Sequence, residues 1–486
     1  MKKYLFIIVL GATLSSCNKF LEQEPDARTK IDSPVKIKEL VASAYPKSTY
    51  IAFAESMSDN AGDKGVSSRS EQNSFPWEFK DQVKSLYDMP ARYWQECYKA
   101  IAAANQGLES IAELGNDPTL NASKGEALVA RAYNHFMLVN FFARPYDESS
   151  SSTDPGIPYV EKPEVTALGK YSRGTVAAVY DNIERDLLAG IPLIDNSTYK
   201  SPAYHFTKNA AYAFATRFYL FKKDYANVVK YANLVASTGT IATSLRNWNG
   251  KYKDLAYYDL QAIYTKSTES ANLLLCEANS IWGRSFAGYN YGLNSALLAE
   301  IFSAANNPVK IQLTYRSKIF GGTETVFNIP KFSENFIKET ISANFGEPYN
   351  VIPLLTMEEV LFNRAEANAN LGNNQAVIDD LNAFLSKRIT GYNESNPNHK
   401  LTLAKVTSFY PNLSIKDALV ESILNFKRQE YIFEGMRWFD IIRLKRTVNH
   451  RSVKGDINLT IGPEDNRRVL QLPTEVIASG LDKNPR

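Results

Sequence analysis

Lys427-Arg428-Gln429-Glu430-Tyr431-Ile432-Phe433-Glu434-Gly435-Met436-Arg437-Trp438-Phe439-Asp440-Ile441-Ile442-Arg443 is the stretch on which the fold reading turns. Five charged residues, Arg428, Glu434, Arg437, Asp440 and Arg443, alternate with Phe433, Trp438 and Phe439 around one glycine. Charges that dense among aromatics point either to a charged binding site or to partly buried ion pairs locking two helices together; the second is the expected use. Gly435 predicts a bend that a Cβ would obstruct.

Outward from this bend the sequence reads as helical hairpins. The last helix opens at Ser414, with Asp417 in the capping-box position, and runs to about Phe433. Before it, 357–371 and 374–386 form a pair broken at Gly372-Asn373. Ala365, Ala367, Ala369, Leu371, Gly372, Ala376 and Leu381 make that pair similar to a tetratricopeptide unit. Further pairs are expected at 90–114 and from Ser123 with Glu126 as capping box, then at 175–188 and 207–221, followed by 224–235. Tyr93, Cys97, Ile101, Ala104, Leu108 and Ile111 stripe one helix, and Leu128, Ala132, Phe136 and Val139 stripe another. The fold class expected is mostly α: tetratricopeptide-like hairpins, scattered and not in tandem, packed in one body with long irregular loops and a few short strands. Loops are expected at 51–89, 149–174, 238–353 and 388–414, with one strand at 270–280. Loops this long are usually functional.

The N-terminus sets the compartment. Lys2 and Lys3 precede an apolar run from Tyr4 to Leu10, and small residues lead to Leu14-Ser15-Ser16-Cys17. The run is too short for a permanent membrane span and has the layout of a secretory leader. Its end resembles a bacterial lipobox, in which the Cys17 thiol is acylated and becomes the new N-terminus. The division expected is a leader at 1–16, an anchored linker at 17–33 and a binding domain at 34–486. Acyl chains worth about 0.8 kcal/mol per buried CH₂ would hold the body to a membrane without a spanning helix. Removing 1–16 takes two lysines and no acid, so the formal charge drops from +3 to +1. That balance speaks against nucleic acid as a partner. Cys97 and Cys276 lie in apolar-patterned segments and read as buried thiols more than as a disulfide.

The 427–443 segment resembles the most diagnostic stretch of the SusD/RagB family. Met357-Glu358-Glu359-Val360-Leu361-Phe362-Asn363-Arg364-Ala365-Glu366-Ala367 is similar to another of its helices. Trp94 to Asn105, Leu472-Pro473 and Asn484-Pro485 also fit, as does the 141–146 aromatic-to-proline turn, although that turn lacks the usual glycine. The resemblance implies an outer-membrane, surface-exposed lipoprotein. It would bind oligosaccharides and deliver them to a partner SusC-like TonB-dependent transporter.

A sugar presents apolar C–H faces ringed by hydroxyls, so its binder needs flat aromatics edged by polar groups. Two loop clusters have that composition: Arg69, Asn73, Phe75 and Trp77, and Trp282, Phe286, Tyr289, Asn290 and Tyr291. One sugar face covering about 60 Å² is worth roughly 1.5 kcal/mol, so a few platforms predict a dissociation constant of about µM to mM.

Two rival readings stay open. A surface glycoside hydrolase needs only two carboxylates. Against it, the chain shows no βα alternation, nucleophile elbow, P-loop or metal-spaced histidines. His135, His205, His399 and His450 are scattered, and Asp59-Asn60-Ala61-Gly62-Asp63 lacks the glutamate of a calcium loop. No catalytic residue, metal or cofactor is therefore expected. A helical-repeat scaffold binding a peptide is the other rival, and the non-tandem units argue against its open groove.

Overall fold

The computed structural model describes residues 31–66, 70–82, 84–164, 171–315, 318–320, 326–338, 340 and 343–486. The expected leader at 1–16, the anchor Cys17, nearly all of the 17–33 linker and Arg69 lie outside the described residues.

About 51% of the chain is helical and the strands are few and short. Two expected hairpins form, at Pro90–Glu113 with Asn121–Phe142 and at Met357–Asn370 with Asn374–Leu385; the third pairs differently, since Lys208–Lys222 packs mainly on Tyr225–Val235 and only lightly on the 175–188 helix expected beside it. Val176–Gly190 packs on Asn121–Phe142 as well. Their starts follow capping chemistry: Thr175, Thr207, Asp224 and Ser414 each accept a hydrogen bond from a first-turn N–H. Ser123 is not a cap. The helix begins at Asn121, after a short 3₁₀ turn at Pro118–Leu120, which places Ser123 and Glu126 inside it. From Gly125 to Phe142 its residues are buried all round, more than the single stripe expected. It runs through the middle of the body, touched by helices on more than one side.

Met357–Asn370 is the other central helix, against Lys208–Lys222, Tyr225–Val235 and Ile415–Glu430. It carries charge into the core and pairs it there. Glu359 takes a two-pronged bond from Arg217, Glu358 accepts from the backbone and guanidinium of Arg246 and from Arg388, and Arg364 grips Asp380 at 2.7 and 3.0 Å. Such pairs roughly repay their desolvation, whereas loss of one partner strands a charge.

The 427–443 segment belongs to this ionic framework. Arg437 makes two 2.8 Å bonds to Asp59, Asp440 accepts from Lys427 and Arg443, and Arg443 also clamps Glu366. Ile415–Glu430 ends, Gly435 adopts φ +71°, and Met436–Arg443 starts in a new direction. A Cβ on Gly435 would lie 3.1 Å from the Ala54 Cβ and 3.2 Å from Ile51. The bend is held by Glu55, which accepts the N–H groups of Phe433 at 2.8 Å and Gly435 at 2.9 Å.

Long connections carry the remaining structure. Segments expected to be irregular contain the helices Ile51–Met57, Glu71–Trp77, Tyr257–Tyr264, Ser295–Phe302 and Leu403–Phe409. The expected strand appears at Asn272–Asn279, as one edge of a three-stranded antiparallel sheet. Gly346–Thr356 is the centre of that sheet and Glu334–Lys338 its other edge. Hydrophobic residues from Ile37 to Leu481 join in one continuous core. Cys97 and Cys276 are buried, unpaired thiols. Among the described residues no helix is long and apolar enough to cross a membrane.

Candidate functional site

The two expected aromatic clusters are buried, which corrects the expectation that they offer open platforms. Trp77 is 0% exposed and sandwiched between Tyr291, at 3.8 Å between ring centroids, and His450, at 4.8 Å. Its indole N–H donates to the Ala61 carbonyl at 2.7 Å. Asn73 is also buried, donating to the Tyr291 carbonyl and accepting the Tyr291 N–H. The two clusters therefore do meet, but as packing. Trp282 is 3% exposed, donates to the Phe433 carbonyl at 3.2 Å and lies against Phe286 and Tyr289. Phe286 in turn packs on Phe433, so this loop is seated on the 427–443 bend. Tyr289 and Asn290 are buried and Phe75 is half-buried beside Lys80. The physical reason is the amphipathic character that suggested sugar contact: each indole found a backbone acceptor, while the Trp282 ring joined the core and the Trp77 ring a small separate cluster with Ala61 and Tyr291.

The histidines and the acidic turn are used up in the same way. Burial pushes His135 down to about 3, and it stacks on Tyr159. Its Nδ1 lies 2.9 Å from the Arg131 carbonyl while Nε2 accepts the Val160 N–H, so the ring is neutral and structural. Asp59 is held by Arg437 and Asp63 accepts the Gly65 and Val453 N–H groups. Among the described residues no group of three or more His, Cys, Asp or Glu side chains is placed to hold a metal.

Open surface with sugar-binding chemistry lies elsewhere in the same loops. A cleft of about 440 Å³ is lined by Ser85, Leu86, Tyr87, Arg92, Asn279, Glu347 and Tyr349, within the size range of small-ligand sites. One wall is the turn entering the Pro90–Glu113 helix; the other is the three-stranded sheet. Tyr349 sits at the middle of that sheet, opposite Asn279 on one side and Asn335 on the other. Ile337 stands opposite Glu347. Alternate residues of a strand share a face, so Asn335 and Ile337 continue the face that bears Glu347 and Tyr349. Ile337 and Leu86 are exposed and add apolar surface.

Two contacts brace the walls. The Tyr87 hydroxyl donates to the Glu347 carboxylate across the cleft, and that bond, ahead of partial burial, raises the phenol above its ordinary pKa. Below the rim, Asp88 is fully buried with φ +62°. Its carboxylate accepts the Ser280 hydroxyl at 2.6 Å and the Ile281 N–H at 3.0 Å. Burial pushes Asp88 up to about 7 against those two bonds. Asn350, one residue past Tyr349, accepts the Gly283 N–H and donates to the Ser280 carbonyl, completing the anchor.

Sequence reasoning located the loops but missed these residues. Most of Gly346–Thr356 falls in the 238–353 segment expected to be irregular, and its Pro348 and Pro353 are residues rarely found in a central strand. Pro353 is accommodated where the register slips at Leu274 and Leu275. The signal available was Tyr87, three residues before the helix-opening Pro90.

A second, more apolar cleft of about 300 Å³ runs between Trp94, Tyr98, Val160, Tyr171 and Val476. Lys162, Glu164, Glu475 and Ser479 edge it, but its floor is more apolar than that of the first.

Comparison with known proteins places this geometry in context. Residues 19–220 match a family described as "Starch-binding associating with outer membrane", and residues 279–469 match the one described as the SusD family. The SusD-like protein P38 of Formosa agariphila is 22% identical over 508 residues, which cover 94% of this chain and 92% of that protein. A SusD superfamily protein of Bacteroides vulgatus has 20% identity and a TM-score of 0.65, over 92% of this chain and 97% of that one. A SusD-like carbohydrate-binding protein of the same organism has 16% identity and a TM-score of 0.64, over 92% and 96%. These structural likenesses show the shared fold.

Proposed function

Because the chain belongs to the SusD family, we propose that it is a surface lipoprotein binding oligosaccharides in the Tyr87–Tyr349 cleft. In this reading residues 1–16 are removed, Cys17 carries the lipid in the outer membrane, and 34–486 form the binding domain. The bound sugar passes to a partner TonB-dependent transporter.

The observation that carries the binding role is the cleft itself. Two partly exposed tyrosines, a carboxylate, a guanidinium and an amide converge on one open space of about 440 Å³. Tyrosine rings supply apolar faces, while Asn279, Ser85, Glu347 and Arg92 supply donors and acceptors for hydroxyls. A hydrolase would need two carboxylates about 5 to 9.5 Å apart around the bond; among the described residues Glu347 is the cleft's one carboxylate. Binding without cleavage is therefore the reading favoured here.

The test is retention on an oligosaccharide array by the purified chain and by a Y87A/Y349A double variant. The native chain is expected to retain at least one oligosaccharide class without releasing new reducing ends, and the double variant to lose it while keeping its far-ultraviolet spectrum. Retention unchanged in the double variant contradicts the assignment of the cleft, and sugar hydrolysis contradicts the non-enzymatic role.

A further inference from the structure

The cleft holds a cation whose hydrogen-bonding capacity is unspent. Arg92 lies in the first turn of the Pro90–Glu113 helix and lines the cleft with its side chain 30% exposed. Its Nε is buried without a hydrogen-bond partner, although it lies 3.5 Å from the Glu96 carboxylate. Glu96 in turn is held more closely by Lys99, at 2.7 Å. Arginines elsewhere are spent, among them Arg284 on Glu334, Arg428 on Asn60, Asp59 and Glu300, and Arg437 on Asp59. Arg92 alone among these makes no hydrogen bond with the protein. Its helix has no acidic residue in the first turn and no side-chain cap, so the helix N-terminus adds to the positive potential at Arg92.

A guanidinium presents parallel N–H donors that match the two oxygens of a carboxylate or the oxygens of a sulfate. A neutral hydroxyl meets only one donor at a time and gains no charge assistance. Glu347 is the opposing charge in the cleft, and its position is fixed by Tyr87. That arrangement discriminates: Glu347 accepts from sugar hydroxyls on its own wall and repels an anionic group that enters in the wrong orientation.

Resting on the oligosaccharide-binding reading above, we propose that Arg92 is a specificity residue and that the ligand carries an anionic substituent, a uronate carboxylate or a sulfate ester. The anion sits on Arg92, with Tyr349 and Ile337 under the sugar faces and Glu347 on neutral hydroxyls. Affinity then depends on ionic strength, because the pair is partly exposed.

The experiment uses the full chain and three probes: a tetragalacturonate, a sulfated galactan tetrasaccharide and the neutral maltotetraose, alongside an array holding neutral, uronate-bearing and sulfated oligosaccharides. Titration calorimetry is run at low and high sodium chloride. Expected is binding of an acidic class, about tenfold or more weaker in R92M, partly restored in R92K, and weakened by salt. The two acidic probes separate carboxylate from sulfate recognition. E347Q is expected to strengthen acidic binding by removing repulsion; for a neutral ligand it would weaken binding by removing an acceptor. Hits confined to neutral sugars, or acidic binding unchanged in R92M, overturn the inference while leaving the oligosaccharide role standing. No retention of any sugar overturns both. R92M leaves Glu96 paired with Lys99, so folding is expected to survive.

Discussion

The Asp88 carboxylate accepts the Ser280 hydroxyl at 2.6 Å, and this single bond spans almost two hundred residues of sequence to fasten the two walls of the cleft. The turn bearing Tyr87 and the sheet end bearing Asn279 are held at one distance by a buried carboxyl group with no cation bonded to it. The cleft is thus preorganised by an element that no ligand touches.

Asp88 and Glu55 give the protein an unusual pH response. Burial raises both to about 7, far above the ordinary 3.8 and 4.5 of free Asp and Glu. A raised carboxyl binds its proton more tightly in the folded state, so its contribution falls as pH climbs from about 4 to about 7 and stays low above that. His135 and His450, lowered by burial, act in the opposite sense below about pH 6.5, so urea unfolding reads the effect as a difference: each carboxyl is expected to add stability, relative to its amide variant, as pH drops from about 7 to about 5, by up to roughly 1.4 kcal/mol per pH unit. D88N, whose asparagine tolerates φ +62°, and E55Q should each flatten the slope. A slope unchanged in both variants contradicts this account.

Trp77 and Trp282 are structural. Replacing either with alanine is expected to cost about 3–5 kcal/mol, as for other buried aromatics. Calorimetry should show a large drop in melting temperature. Were W77A to melt like the native chain yet lose sugar binding, the ring would have to be a platform and the burial reading would fail.

Gly435 turns the chain between its last two long helices at φ +71°, with Ala54 and Ile51 pressed against the place of a side chain. G435A is expected to destabilise by about 1–3 kcal/mol through left-handed strain and crowding. Denaturant midpoints measure it directly.

Much of this architecture is legible in the sequence because helices announce themselves locally. Ser414 caps as read, helices start at the expected Thr175 and Thr207, and the charged residues of 427–443 form the interlocking pairs expected of them. The site resists such reading for a physical reason. Whether a loop tryptophan faces water or core depends on the partner its N–H finds, and Ala61 and Phe433 lie 16 and 151 residues away from the indoles they accept. Tyr349 became visible only once Gly346–Thr356 paired on both sides, despite its two prolines.

The proposed anchor predicts a cellular phenotype. In cells fed labelled palmitate, the chain is expected to take up label and to fractionate with the outer membrane, whereas C17A, spared acylation, is released in soluble form. Unlabelled native protein in the soluble fraction speaks against the lipid at Cys17.

The most direct test of the central claim is a crystal structure of the chain with an oligosaccharide identified on the array. The account predicts sugar density between Tyr87 and Tyr349, with a hydroxyl on Glu347. Density lodged instead in the apolar cleft beside Trp94, Tyr98 and Val476, with the first cleft holding only solvent, would contradict it.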